Sequence, residues 1–155
     1  MEQNIDDIPQ RDVKTFDARK YKGMKVKLAD VRMEEVVDFF SGPEDDEGRP
    51  TYNAFSTTKK KVIIIETERL PELDKDGNIT DVLSEITVKR RFNLKKEIVN
   101  GQINWVISKH SKADLWAFMR NMKAIKLSDL KGMNVVLTSV ADKNSDEKFW
   151  LRISD

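Results

Sequence analysis

Three pairs of side chains sit two residues apart, the interval that places them on one face of a β-strand: Lys25 and Lys27, Lys89 and Arg91, Trp150 and Arg152. Lys59, Lys60 and Lys61 form a further basic run, and Tyr52 and Phe55 lie just before it. Cations attract phosphates, and exposed aromatic rings offer flat platforms for bases. Together they are the chemistry of single-strand binding. Each aromatic taken alone is more often a core residue than a platform, so the reading rests on the set.

Other chemistries find less support. The 155-residue chain has no Cys and one His, His110, which excludes thiolate metal sites and leaves little imidazole chemistry. It has no phosphate-cradling glycine loop and no nucleophile with a partner base in a known spacing. Asp74, Asp76, Asn78 and Glu85 echo a calcium loop, but Ile79 stands where that loop needs glycine. A polar turn accounts for them. No enzyme activity, metal or cofactor is expected. Without an apolar span or a secretion signal, the chain is expected to be soluble and cytoplasmic.

Charge is unevenly placed. The net charge is +1, yet residues 1–50 carry 13 acidic and 9 basic side chains. Residues 86–131 carry eleven Lys and Arg against three acids, Glu97, Asp114 and Asp129. That local excess suits a polyanion, or simply a solvated surface.

The elements that must position these residues are mostly strands. Residues 1–18 are expected to be a loose polar tail, with one domain over 19–155. Met24, Val26 and Leu28 alternate with Lys25 and Lys27, and the apolar phase changes near Asp30, as at a bulge. A helix over residues 34–40 competes with continued strand. Residues 41–50, with two Gly, two Pro and four acids, form a loop. Strands follow over 59–70 and 84–94, separated by a turn at "PELDKDGNITD". Arg90 shares the core face of the second of these, and the rim of the domain would let its head reach water. "EIVNGQINWVI" reads as a hairpin turning at Asn100-Gly101. A helix is expected over 112–122, with Ser111 as N-cap and Leu115, Phe118, Met119 and Met122 as its apolar stripe. Trp105 and Trp116 are expected to pack inward. Strands over 132–140 and 148–153 complete the chain.

This order is that of a five-stranded OB-type β-barrel, mainly β, with an added hairpin and one helix between the third and fourth strands. Two phrases fit it. "YKGMKVKLADV" (21–31) and "LKGMNVVLTSV" (130–140) agree at six of eleven positions. In an OB barrel the first and fourth strands are antiparallel neighbours, so the phrases would pair.

"DLKGMNVVLTSV" also resembles the opening of a barrel strand in OB-fold single-stranded DNA-binding proteins of the replication-protein-A-like kind. The resemblance implies a non-catalytic protein that binds single-stranded DNA with low sequence specificity, in replication, recombination or repair. The candidate nucleic-acid-binding residues are Lys25, Lys27, Tyr52, Phe55, Lys59, Lys60, Lys61, Lys89, Arg91, Trp150 and Arg152. The alternative is a barrel that engages a protein partner and no nucleic acid.

Overall fold

A computed structural model describes residues 4–8, 16–110 and 113–154, with the backbone alone for 145–147. The fold is mainly β. Nine strands run in chain order: β1 Lys25–Val37, β2 Lys59–Thr67, β3 Pro71–Leu73, β4 Ile79–Leu83, β5 Lys89–Asn93, β6 Lys95–Val99, β7 Gln102–Val106, β8 Asn134–Asp142 and β9 Ser145–Ile153. One α-helix, α1, spans Asp114–Asn121. Five strands form an antiparallel sheet in the order β5-β2-β1-β8-β9, and β3-β4 and β6-β7 form separate two-stranded ribbons. Because each neighbour is antiparallel, both edge strands, β5 and β9, run parallel to β1.

The twin phrases pair, as their order in the chain implies. Each is preceded by a turn of 3-10 helix, Ala18–Tyr21 and Leu127–Leu130, that ends on a buried residue. Each then passes a glycine in the left-handed region, Gly23 at φ +82° and Gly132 at φ +87°. That conformation is open to glycine at no steric cost. Val26 lies opposite Val135, its own counterpart in the other phrase. Gly23 N–H donates to Leu137 C=O and Gly132 N–H to Leu28 C=O, each at 2.8 Å. A local two-fold axis through the Val26–Val135 pair therefore relates the two phrases.

The phase change in β1 is a bulge. Leu28 is opposite Thr67 and Asp30 opposite Glu66, which leaves Ala29 as the extra residue. The strand continues to Val37, so the helix considered over 34–40 does not form. Beyond the bulge Val31 and Met33 share the inner face with Ile65 and Ile63.

Leu28, Ile63, Ile65, Phe92, Val135, Leu137 and Ile153 make the sheet's share of the core, with Val88 just before β5. Leu115, Phe118 and Met119 of α1 pack into it, with Met122 partly buried beside them, as the i, i+3, i+4, i+7 spacing requires. Phe118 meets Phe92 at 5.3 Å between ring centroids. The helix begins at Asp114 with Ala113 at its N-cap and no side-chain cap bond there. Ser111, the expected cap, lies outside the described residues. Trp116 is half-buried beneath Lys109, whose Nζ stands 5.0 Å over the ring.

Two boundaries differ from expectation. "PELDKDGNITD" is a hairpin, β3 and β4, rather than only a turn; its loop closes through Asp74 Oδ1, which accepts from Asp76 and Asn78 N–H at 2.9 Å each. The third long strand starts at Lys89 rather than Ser84, because residues 84–88 lead out of that hairpin. The Asn100-Gly101 turn has positive φ at both residues, 52° and 76°, as a type I′ turn demands. Among the described residues no helix is long and apolar enough to cross a membrane.

Candidate nucleic-acid interface

Leu151 and Ile153 of β9 turn to the core, so Lys148, Trp150 and Arg152 take the opposite face. All three are exposed, Trp150 by 49%. Trp150 is opposite Val140 and Arg152 opposite Thr138. Across β8, Lys25 is opposite Val136 and Lys27 opposite Asn134. These β8 residues alternate with buried Val135 and Leu137, so Lys25, Lys27, Lys148, Trp150 and Arg152 share one outer face. Among the described residues none of its four cations is in an ion pair. Among the described side chains two carboxylates stand at its margins. Glu68 follows β2 beside Lys27, and Asp142 is folded onto the β8–β9 turn, accepting Asn144 N–H.

The outer face of β1, β2 and β5 is different. Arg32 donates to Glu34 Oε1 at 2.7 Å, Asp30 Oδ2 at 2.8 Å and Glu66 Oε1 at 2.9 Å. These partners, Glu34 foremost, raise the guanidinium's pKa above its usual range. Glu66 also accepts from the Thr87 hydroxyl and lies 3.8 Å from Lys89 Nζ. The Thr87 bond and Arg32 lower the Glu66 carboxyl below the usual carboxylate range, against the opposing effect of burial. A phosphate approaching Lys89 must therefore compete with Glu66. Arg91, across Ile64 from Arg32, is exposed and has no ion pair among the described residues.

The two faces meet at the sheet's open edges. A cleft of about 360 Å³ between β5 and β9 is lined on one side by Thr87, Val88 and Lys89 and on the other by Phe149, Trp150 and Leu151. Lys89 and Trp150, remote in sequence, thus flank one opening. Arg90 reaches across the same seam. Its guanidinium lies 4.7 Å over Phe92 and 5.3 Å over Phe118, with Nη1 at 3.4 Å from Ile153 C=O.

Tyr52 and Phe55 belong to an ordered arm, residues 38–58, between β1 and β2. Asp38 N–H donates to Thr58 C=O at 2.8 Å, Gly42 N–H to Thr51 C=O at 2.9 Å and Asn53 N–H to Phe39 C=O at 2.6 Å. The hydroxyls of Ser41 and Ser56 are 2.6 Å apart. Gly42 is required by space: a Cβ there would stand 2.6 Å from Thr51 Oγ1 and 2.8 Å from its carbonyl oxygen. Tyr52 packs against Phe39 and Phe40, at 6.0 and 5.8 Å between centroids. The acidic residues 44–47 form the tip. Lys59, Lys60 and Lys61 start β2 at the arm's base, alternating between faces, with Lys60 Nζ 3.9 Å from Asp38 and Lys61 opposite Glu35. They do not make one continuous basic track with Lys89 and Arg91.

Three contributors were not singled out from sequence: Lys148, Phe39 and Phe40. Lys148 carried a usable signal, two residues before Trp150. Phe39 and Phe40 follow β1 so closely that they read as more strand. Compared with known proteins, the chain matches no family model, no curated protein and no solved structure.

Proposed function

We propose that the chain is an OB-type domain that binds single-stranded nucleic acid without catalysis and with low sequence specificity, DNA being the expected ligand. The observation that carries this reading is the outer face of β1, β8 and β9, where four cations with no ion pair among the described residues share a surface with an exposed Trp150: Lys148 and Arg152 beside the indole, Lys25 and Lys27 roughly 13–20 Å further along β8. Lys and Arg displace counterions from phosphates, and an indole face accepts any base by stacking. Neither interaction reads base edges, hence the low specificity. The barrel reading is supported by the strand order, by two edge strands that run parallel to β1, and by Arg90 spanning the seam between them.

The test is a titration of a labelled oligonucleotide of about 30 residues, several barrel site sizes long, at stepped salt. Affinity should fall steeply as salt rises. No binding at low salt ends this reading. A barrel that engages a protein partner then takes its place, a reading favoured by the exposed aromatics of the 38–58 arm.

A further inference from the structure

The arm exposes Phe39, Phe40, Tyr52 and Phe55, the last with 92% of its surface open. Loops rarely combine such order with such apolar exposure. The hydrogen bonds that fix residues 38–58 remove chain entropy in advance, and rigid aromatic anchors are what interface centres are made of. The tip beside them carries Glu44, Asp46 and Glu47. The Arg49 guanidinium lies 3.5 Å from Glu47, and Arg49 N–H donates to Asp45 Oδ1 at 2.9 Å. Carboxylates at the tip repel phosphates, so a nucleic acid is the wrong occupant for it. A surface with apolar ground and a cationic rim is the right one.

This chain owns such a surface. Trp150 and Val136, both exposed, lie among Lys25, Lys27, Lys148 and Arg152. We infer that the arm of one molecule docks on the Trp150 face of a second copy, producing head-to-tail self-association. The arm and the face are at opposite ends of β1, whose 13 residues extend roughly 40 Å at strand rise. Among the described residues the arm's ion pairs are with its own Arg49 and with Lys60 at its base in β2. Contact is therefore made between molecules. The two surfaces differ, so each contact joins one arm to one face: copies in line add head to tail, and two reversed copies side by side close as a reciprocal pair. This association does not rest on nucleic-acid binding. If that reading also holds, the arm and a single strand compete for the same face.

Sedimentation velocity of the protein alone tests the inference. At about 20 mM salt the sedimentation coefficient should climb with concentration over roughly 10–300 µM, and at about 0.5 M salt it should return to the monomer value. Two surface variants separate the halves of the contact. Glu44→Gln/Asp46→Asn/Glu47→Gln leaves Asp45, offset by Arg49, as the tip's one carboxylate, and Lys25→Glu/Lys27→Glu cancels the charge of the face's four cations. Each should be monomeric alone, while an equal mixture should form a one-to-one dimer that grows no further, because each variant keeps the surface the other has lost. Wild-type protein that stays monomeric throughout at low salt overturns the inference. So does a tip variant that associates like wild type, or a mixture that stays monomeric. Adding the oligonucleotide to wild-type protein then reads the competition separately, since it leaves the protein-only result untouched.

Discussion

Glu66 is where Arg32, Thr87 and Lys89 converge, and its carboxyl is held below the usual range by the Thr87 bond first and Arg32 next. A carboxylate whose pKa is depressed on folding adds stability above its unfolded pKa. That stability is lost as pH falls through the folded value. Unfolding free energy should therefore decline as pH drops below about 5, near and under the ordinary Glu value. Urea melts at stepped pH should show a shallower decline in Glu66→Gln; an unchanged slope would remove Glu66 from the acid-labile groups. The unpaired cations predict a different response. Lys25→Ala/Lys27→Ala should flatten the salt slope of oligonucleotide binding by up to about 1.4 log units, the single-strand value for two phosphates. Trp150→Ala should cost about 1–3 kcal/mol with the slope unchanged, since stacking carries no charge. Equal slopes for all three proteins would show that Lys25 and Lys27 do not meet phosphate. A spacing of two was enough to place Lys25, Lys27, Lys89, Arg91, Trp150 and Arg152 outward. It could not reveal that Lys89 is engaged, because Glu66 reaches it only through the pairing of β2 with β5.

Elements were legible where one face is apolar and the local chemistry agrees. The stripe Leu115, Phe118, Met119 and Met122 placed α1, and Asn100-Gly101 placed the β6–β7 ribbon. Leu115→Ala should destabilise the fold by about 2–5 kcal/mol, the range for a buried leucine in a well-packed core. A loss below half of that range's lower end, about 1 kcal/mol in denaturant melts, would mean that the helix face relaxes around the gap. Gly132→Ala should cost about 1–2 kcal/mol, because alanine at φ +87° brings its Cβ against backbone; a neutral result would mean that the turn had rearranged. The β3–β4 hairpin escaped because its strands are short and its apolar residues Ile79, Val82 and Leu83 are exposed, so they form no alternating core pattern. What fixes it is a pair of side-chain bonds across the hairpin and its base, with a core anchor: the Thr80 hydroxyl donates to Glu72 C=O at 2.8 Å and the Ser84 hydroxyl to Leu70 C=O at 2.7 Å, with Leu70 fully buried.

At the scale of the molecule, charge follows the long axis of β1, with carboxylates crowding the arm and exposed cations, Lys25 and Lys27 among them, toward the twin glycines. Composition disclosed that division as an acidic first third and a basic remainder. It could not say that the acids project on an ordered arm, which depends on bonds such as Asn53 N–H to Phe39 C=O. The strand order was legible because two similar phrases occupied positions that one topology makes neighbours. The seam was not, since the approach of Arg90 to Ile153 depends on the curvature of the whole sheet.

The two-fold pairing about Val26 and Val135 has a consequence for how the chain assembles. The phrases form a palindrome written in strands, so the backbone of each is complementary to the other and to itself, but the side chains are not: a self-pair of the first phrase sets Lys25 opposite Lys27 on both sides of Val26, where the native pair sets them opposite Val136 and Asn134. In a crowded refolding mixture a first phrase that pairs with another chain's first phrase does so against that repulsion. What selects the native pairing is therefore this difference in charge together with the one tether the two phrases share, an advantage that shrinks as chains are concentrated. Dilution is the condition under which this sequence chooses its own second half.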